Sequence, residues 1–359
     1  MVISPKLDQL LHSAINREAC DLEAFRDYQA LIEHGQASVT YHALAGDQSL
    51  SAITERLQLL RKVYPDLSQL CQTLMNGPDS PLPMMWLFWL PLAQWIDEQQ
   101  QRLKRPLIQG ILGMQGTGKT TLALILSRIL AQLGHGVCCL SIDDFYKSYS
   151  ARQQLQRRDP RLVWRGPPGT HDIDLALSAL QQLRAGLDTA VPRFDKSAHR
   201  GQGDRAAFET VAGVTVVLFE GWFVGAQPLP AEKFRPKPSL MQSSPLPWPI
   251  ESEADYAFAH DCNERLRDYL PLWEQVDRLL VLHPSDYRLS QRWRREAEQT
   301  LVASGQSGMD DAEVDRFVHY FWRALHPELF ITPLLCDRQR VDLVVEIDPH
   351  HQPQRIYAP

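Results

Sequence analysis

A glycine-rich segment that ends in lysine and threonine carries the clearest chemical signal in the sequence. Residues 113–120 read GMQGTGKT and match the pattern GxxxxGK[ST]. Glycines let backbone N–H groups turn toward phosphate oxygens without a Cβ in the way, and the helix that follows presents its positive end to the anion. Lys119 would reach the β- and γ-phosphates, and the Thr120 hydroxyl would bind Mg²⁺. The segment predicts a nucleoside triphosphate site formed by Gly113, Gln115, Gly116, Thr117, Gly118, Lys119, Thr120 and Thr121.

Three acids follow apolar runs that read as strands. Asp143 and Asp144 come after GVCCLSI, and an acid at the carboxyl end of a strand beside the phosphate site lies where α/β sheets bind ligands. Such an acid could accept the proton of a hydroxyl group that attacks the γ-phosphate, although either aspartate could instead cap the next helix. Glu220 ends the run VVLFE, at a position where an acid would hold Mg²⁺ directly or through water.

Two charged loops suit an acidic, hydroxylated substrate. The first contains five arginines, of which Arg165 leads into GPPGTHDID with His171 and Asp172. The second, residues 192–200, reads PRFDKSAHR. Arginine matches carboxylates with two parallel hydrogen bonds, but each loop taken alone is explained as well by a solvated surface.

A third basic segment, within residues 286–310, holds Arg288, Arg292, Arg294 and Arg295. In a phosphoryl-transfer enzyme, an arginine-rich segment after a strand can close over the triphosphate as a lid and offset developing charge. The alternative is a solvated helix face.

The elements that must position these residues alternate along the chain. Apolar runs at residues 107–112, 136–142, 214–219, 277–282 and 341–347 are separated by helical stretches, which is typical of a parallel sheet buried on both faces. The predicted fold is therefore α/β, a P-loop NTPase fold with a mainly parallel five-stranded sheet flanked by helices. We expect a helical region at 1–104, a P-loop domain at 105–359 and a proline-rich insertion at about 226–252. Apolar residues at helical spacing predict N-terminal helices; these residues are Leu7, Leu10, Leu11 and Ile15, and then Phe25, Tyr28, Leu31 and Ile32. These helices would cover one face of the sheet or mediate dimerisation.

Composition limits the classes of protein that remain. The 359 residues include 37 Lys and Arg against 43 Asp and Glu, a net charge of −6, which disfavours a general nucleic-acid binder. Six scattered cysteines favour reduced thiols over disulfides or a zinc site. The most apolar window, residues 82–96, is too short and too interrupted by proline to cross a bilayer, and early charges at Lys6 and Asp8 argue against a secretory signal. We expect a cytoplasmic protein without nucleic-acid or membrane partners, and the sequence leaves its oligomeric state open.

Several motifs together resemble a known group of enzymes. GMQGTGKT, DDFY, VLFEGW and the arginine-rich segment resemble the phosphoribulokinase, uridine kinase and pantothenate kinase group of P-loop kinases. Within it, the chain resembles the D-glycerate 3-kinase family of plants and fungi from about residue 84 to 347. The motifs are RGPPGTHD (165–172), PRFDKSAHRGQGDR (192–205), NERLRDYLPLW (263–273), WRREAE (293–298) and GMDDAEVDRFVHYF (308–321).

This resemblance implies phosphorylation of the 3-hydroxyl group of D-glycerate by ATP and Mg²⁺, the last step of photorespiratory glycolate salvage. Asp143, the acid in the DxFY position, is then the expected general base, and Lys119 the second catalytic residue. The positions where related kinases line the acceptor pocket are Tyr146, His171, Asp172, Asp195 and Arg200. The carboxylate of glycerate would need a cation, for which the candidates are Arg165, Lys196 and Arg200.

Two other functions remain open from the sequence. One is a related kinase that acts on a nucleoside, pantothenate or a sugar phosphate, because the proline-rich segment after Trp222 departs from the family pattern and could reshape the pocket. The other is a non-catalytic, ATP-dependent protein that binds a partner through its N-terminal helices.

Overall fold

The central sheet is built from the apolar runs that the sequence marks. The computed structural model describes residues 5–16, 22–26, 44, 49–75, 80–234, 246–303, 305 and 308–359. Its strands are β1 (Leu107–Gly113), β2 (Val137–Ser141), β3 (Thr189–Val191), β4 (Phe194–Asp195), β5 (Asp204–Arg205), β6 (Glu209–Val211), β7 (Val216–Gly221), β8 (Arg278–Pro284), β9 (Leu343–Ile347) and β10 (Pro353–Tyr357).

Six of these strands pair in the order β10-β9-β8-β1-β7-β2. The five strands from β9 to β2 run parallel, as predicted, because residues buried on both faces produce nearly continuous apolar sequence. In the register, Glu220 of β7 lies opposite Ile111 of β1 on one side and Ser141 of β2 on the other. The carboxyl ends of these three strands therefore meet at one edge of the sheet.

The sixth strand, β10, was not predicted from the sequence. It pairs antiparallel with β9 after a short turn, and it begins with Pro353. Its middle residues Gln354 and Arg355 are exposed, so the strand lacks the apolar run that marks a strand buried on both faces. The two small antiparallel ribbons, β3 with β6 and β4 with β5, are too short to produce a detectable period.

Helices connect and cover the strands. They are α1 (Pro5–Ile15), α2 (Leu50–Met75), α3 (Leu90–Leu103), α4 (Lys119–Gln132), α5 (Tyr149–Arg158), α6 (Ile173–Arg184), α7 (Glu253–Arg265), α8 (Leu270–Trp273), α9 (Leu289–Ala303), α10 (Asp311–Ala324) and α11 (Pro327–Phe330). A helical turn at Leu82–Met84 and a π-helical segment at Met85–Trp89 lead directly into α3. Short 3-10 turns lie at Ile142–Phe145, Ala231–Phe234, Leu266–Tyr269 and Thr332–Cys336.

Both faces of the sheet are covered. On one face, Leu7 of α1, Leu60 of α2 and Ile96 of α3 are buried in one cluster with Ile111 and Leu218 of the sheet. On the other face, side chains of α6, α7 and α10 form the second cluster. The N-terminal helices thus contribute to the core around the P-loop strand, and the domain boundary after residue 104 stays a prediction.

Parts of the sequence-based expectations lie outside the described residues. These are the helical positions Tyr28, Leu31 and Ile32, and residues 235–245 of the proline-rich insertion. Within the part of the chain that is described, no helix is both long enough and apolar enough to cross a membrane.

Candidate active site

The glycine-rich segment forms a tight loop between β1 and α4. Gly116 and Gly118 adopt left-handed backbone angles, with φ of 78° and 82°, which residues with a Cβ rarely adopt. The Met114 carbonyl oxygen accepts hydrogen bonds from Thr117 Oγ1 at 2.8 Å and from Lys119 Nζ at 2.9 Å. No described side chain caps the N-terminus of α4. Its first N–H groups therefore remain available to an anion.

Glu220 connects this loop to the neighbouring strand. Its Oε1 accepts a hydrogen bond from Thr120 Oγ1 at 2.9 Å, and its residue surface is only 8% exposed. A carboxylate and a hydroxyl oxygen are ligands that suit Mg²⁺, which also keeps waters and binds phosphate oxygens. The described residues contain no group of three or more His, Cys, Asp or Glu side chains placed to hold a metal. The Thr120 hydroxyl and the Glu220 carboxylate are oxygen donors of the type that suits Mg²⁺, and their role as its ligands stays a prediction.

The two aspartates after β2 have different roles. Asp144 completes a capping box: its Oδ2 accepts a hydrogen bond from the Ser141 N–H at 2.9 Å and lies 3.4 Å from an Arg193 nitrogen. Asp143 instead accepts hydrogen bonds from the Tyr146 hydroxyl at Oδ1 and from Lys196 Nζ at Oδ2, both at 2.8 Å. The geometry thus gives the capping role to Asp144 and leaves Asp143 in contact with Tyr146 and Lys196.

Electrostatics keep Asp143 ionised. Burial alone would raise the pKa of this carboxyl, but the Lys196 charge and the donors on Lys196 and Tyr146 outweigh it, and the pKa is lowered. Burial lowers the pKa of Lys119, while the charges of Glu220 and Asp143 oppose that effect. Each carboxylate oxygen has a second lone pair, so Asp143 can still accept a hydrogen bond from a substrate hydroxyl.

Tyr146 and His171 form a buried stack next to Asp143. Their rings lie 4.6 Å apart, and His171 is only 1% exposed. Burial lowers the pKa of His171 to about 3 and, together with the Asp143 charge, raises the pKa of Tyr146 well above its usual range. His171 Nδ1 lies 2.7 Å from the hydroxyl of Tyr269. Tyr269 is a contact that sequence reasoning missed, although it falls within the quoted motif NERLRDYLPLW.

Two of the predicted acceptor-pocket residues serve local structure. Asp172 caps α6 by accepting from the Leu175 N–H at 3.3 Å, and it pairs with Arg205 at 2.9 Å. Asp195 is exposed and accepts hydrogen bonds from the N–H and hydroxyl of Ser197 within its own turn.

The three candidate cations for a substrate carboxylate lie on or against one loop. Lys196 is 63% exposed and reaches Asp143. Arg165 donates to the carbonyl oxygens of Gly201 and Gln202 at 2.9 and 3.0 Å, and its guanidinium lies 6.0 Å from the centre of the Tyr146 ring. Arg200 is exposed and has a φ of 57°. The structure thus brings Lys196 and Arg165 close to the Asp143–Tyr146 pair.

Most of the predicted lid is helix α9, with Arg288 directly before it, and all four lid arginines pair with acids. The pairs are Arg288 with Asp286, Arg292 with Glu296, Arg294 with Glu298 and Arg295 with Asp315.

A residue that sequence reasoning missed, Trp293, is the part of α9 that meets the P-loop. A Cβ placed on Gly116 would lie 2.6 Å from the Trp293 Cβ. Trp293 Nε1 donates to the Pro349 carbonyl at 3.3 Å, and its ring stacks on His351 at 4.4 Å. The His351 imidazole in turn lies against the backbone of Gly116. The lid helix and the β9–β10 turn thus both rest on the phosphate loop.

Comparisons with known proteins show what the chain is similar to. The family model described as Phosphoribulokinase / Uridine kinase family matches residues 108–227. That stretch contains the P-loop together with Asp143, His171, Lys196 and Glu220.

Individual relatives extend the similarity beyond that stretch. The chloroplastic D-glycerate 3-kinase of Arabidopsis thaliana is 30% identical over 315 residues, which cover 80% of this chain and 65% of that protein. An uncharacterized kinase of Schizosaccharomyces pombe, mug58, is 31% identical over 242 residues, covering 64% of this chain and 83% of that protein. With 65% coverage, the chain spans slightly less than two thirds of the length of the Arabidopsis protein.

A solved structure matches the fold. The structure of a D-glycerate 3-kinase from Cryptococcus neoformans superposes with a TM-score of 0.63 at 26% sequence identity, covering 76% of this chain and 99% of that chain.

Proposed function

Because this chain belongs to the phosphoribulokinase/uridine kinase family, we propose that it transfers the γ-phosphoryl group of ATP to the 3-hydroxyl group of D-glycerate. The observation that carries the proposal is the position of Asp143. This carboxylate follows β2, the strand next to β7, and its negative charge raises the pKa of the P-loop residue Lys119. It also accepts hydrogen bonds from Tyr146 and Lys196 on the acceptor side. It is therefore the group that joins the nucleotide site to the acceptor site.

The chain's own residues account for each task of in-line phosphoryl transfer. Backbone N–H groups of the P-loop and Lys119 bind the phosphates, and Asp143 orients the acceptor hydroxyl and takes its proton. Thr120 and Glu220 would hold Mg²⁺, which when bound neutralises charge on the phosphates. Most of the catalysis in such transfers comes from positioning and charge stabilisation, so a carboxylate that stays ionised suits the role of Asp143.

The charges around Asp143 favour a small anionic acceptor. Lys196 lies on the exposed side of Asp143, so its ammonium group can pair with a substrate carboxylate while the carboxylate of Asp143 receives the hydroxyl. Arg165 adds a second positive charge against Tyr146. The similarity to D-glycerate 3-kinases supports glycerate as that acceptor. We also propose that the protein acts in photorespiratory glycolate salvage and that it is located in the cytoplasm.

Acceptor specificity is the first test. We would measure ADP release by the purified protein with ATP and Mg²⁺ and, in turn, D-glycerate, L-glycerate, uridine, pantothenate or ribulose 5-phosphate. We expect turnover with D-glycerate alone and 3-phosphoglycerate as the product. Turnover with another member of the panel instead would contradict the glycerate assignment and retain a small-molecule kinase. ATP binding without turnover on any acceptor would favour the partner-binding alternative.

Substitution of the proposed base is the second test. Asp143→Asn is expected to lower kcat by about 100-fold or more and to leave ATP affinity nearly unchanged, because the amide cannot accept the hydroxyl proton. Asp144→Asn is the matched control, since Asp144 caps Ser141 and is expected to affect thermal stability more than turnover. Near-normal turnover in Asp143→Asn would remove Asp143 from the role of base.

A further inference from the structure

One nitrogen next to the acceptor site has no hydrogen-bond partner. His171 Nε2 is closed to solvent and makes no hydrogen bond with any of the described residues. Buried polar atoms in native proteins are almost always paired, so a buried orphan calls for a specific explanation. The ring stacks on Tyr146, and Asp143 is the charged group that acts most strongly on it. The orphan therefore lies in the part of the molecule where the acceptor would bind.

The hydroxyl group of Tyr269 determines which nitrogen of His171 carries the proton. The Tyr269 oxygen accepts a hydrogen bond from the Gly169 N–H at 2.9 Å. Among the described residues, the other hydrogen-bond partner of this hydroxyl group is His171 Nδ1, at 2.7 Å, so Nδ1 is the acceptor available to the phenol hydrogen. Because Nδ1 accepts this hydrogen bond, a neutral imidazole carries its hydrogen on Nε2.

Burial keeps this imidazole neutral. His171 is enclosed by Tyr146, Phe223 and Tyr269, with ring centres 4.6, 5.7 and 5.6 Å away. This environment lowers the pKa of His171 to about 3, so the ring is uncharged at neutral pH despite the nearby carboxylate. The Nε2–H group is thus a fixed, neutral donor without an acceptor.

We propose that Tyr269 is a positioning residue that fixes His171 as the Nε2–H tautomer, and that this N–H donates a hydrogen bond to an oxygen atom of the bound acceptor substrate. The inference rests on the proposed kinase function and names a donor of the same site. Phe194 of β4 packs on Tyr146 at 5.0 Å, and Tyr146 lies on His171, so these two rings cover the imidazole. The proposal requires this cover to shift on substrate binding so that Nε2 meets the acceptor.

A donor that cannot accept has a consequence for specificity. Nε2–H can pair with a hydroxyl or carboxylate oxygen, whereas an ammonium group in the same place would leave two donors facing each other. Leaving a buried donor unpaired reduces affinity by about 10- to 100-fold. The site should therefore prefer a hydroxy acid over an amino acid of the same size.

The tautomer is tested in the full-length protein without any substrate. Two-bond ¹H–¹⁵N correlation spectra distinguish the two neutral tautomers of histidine, and the His171 signal is assigned by its loss in His171→Gln. We expect the Nε2–H pattern in the parent protein and a mixture of tautomers in Tyr269→Phe. The matched control is Tyr320→Phe, since Tyr320 is also a buried tyrosine but its hydroxyl donates to the Trp164 carbonyl, away from His171. An Nδ1–H pattern in the parent protein overturns the inference whatever the enzyme phosphorylates.

The substrate contact is tested by kinetics with the acceptor that the panel identifies. Tyr269→Phe is expected to raise KM for the acceptor by about 10-fold, as for one lost hydrogen bond, with KM for ATP unchanged. A purely structural role would lower the melting temperature without this selective change in KM. If the spectra show the expected tautomer but the acceptor KM in Tyr269→Phe equals that in Tyr320→Phe, the substrate contact is wrong. If the enzyme uses an acceptor other than glycerate, the glycerate assignment is wrong. The comparison of the acceptor KM in Tyr269→Phe and Tyr320→Phe still decides whether His171 contacts the substrate.

Discussion

Acidification offers a quantitative test of the buried histidine beside the acceptor site. His171 is 1% exposed, and burial lowers its pKa from the ordinary 6.5 to about 3. Between these values, the unfolded chain binds a proton at this residue that the folded protein excludes, so stability falls as the pH falls. At about pH 5 the difference amounts to about 2 kcal/mol. With an unfolding entropy of about 2.1 cal/mol/K per residue, this energy lowers the melting temperature of a protein of this size by about 3 °C.

The assay compares thermal unfolding at about pH 7.5 and about pH 5 in the parent protein and in His171→Gln. We expect the acid-induced drop in melting temperature to be about 3 °C smaller in the variant, because glutamine does not titrate. His326, whose pKa burial lowers to about 4, contributes to the drop in both proteins and cancels in the comparison. His12→Gln, at a half-exposed site on α1, controls for the loss of a histidine as such. Equal drops in the parent and in His171→Gln would refute the assignment of His171 as a buried neutral group.

Three further outcomes follow from the site. Lys196→Met removes the charge that holds the pKa of Asp143 down, so the acidic limb of the kcat–pH profile should move to higher pH; an unmoved limb would contradict the Lys196–Asp143 pairing as a catalytic feature. Gly116→Ala should weaken ATP binding and lower the melting temperature more than Gly118→Ala. Both glycines have positive φ, but of the two only Gly116 would place a new Cβ against Trp293 of α9, 2.6 Å from the Trp293 Cβ. Equal effects of the two substitutions would show that this contact is unimportant. Thr120→Val should raise the Mg²⁺ concentration needed for half-maximal turnover by about 10-fold or more, and an unchanged Mg²⁺ dependence would place the metal elsewhere.

Contiguous signals in the sequence predicted the frame of the molecule. The P-loop motif is local, and strands buried on both faces are apolar at most positions. The nucleotide loop and the five parallel strands could therefore be placed without knowledge of tertiary contacts. The family resemblance, carried by several motifs in order, is confirmed by the comparisons.

Contacts between distant residues could not be predicted in this way. Nothing in the spacing along the chain connects Tyr269 with His171 or Trp293 with Gly116, because these pairs form only when separate loops and helices pack together.

Two local signals, however, were readable and were not used. Ser141 and Asp144 have the spacing of a capping box, which separates the capping aspartate from its neighbour Asp143. Arg292 and Glu296 have the i, i+4 spacing of a helical ion pair, as do Arg294 and Glu298. This spacing explains why these two of the four lid arginines face acids in the structure.

The packing of Trp293 and His351 on the phosphate loop also matters for synthesis of the protein on the ribosome. The P-loop motif leaves the ribosome early, whereas Trp293 and His351 follow 177 and 235 positions after Gly116. At about 5 to 20 residues per second, the nascent chain carries the motif for roughly 10 to 50 s before the side chains that pack against it are available. During that interval the glycines of the loop lack their packing partners, so a chain arrested before α9 would contain the nucleotide signature without the finished site. Synthesis of the P-loop motif and formation of the packed P-loop are therefore separated in time for each molecule.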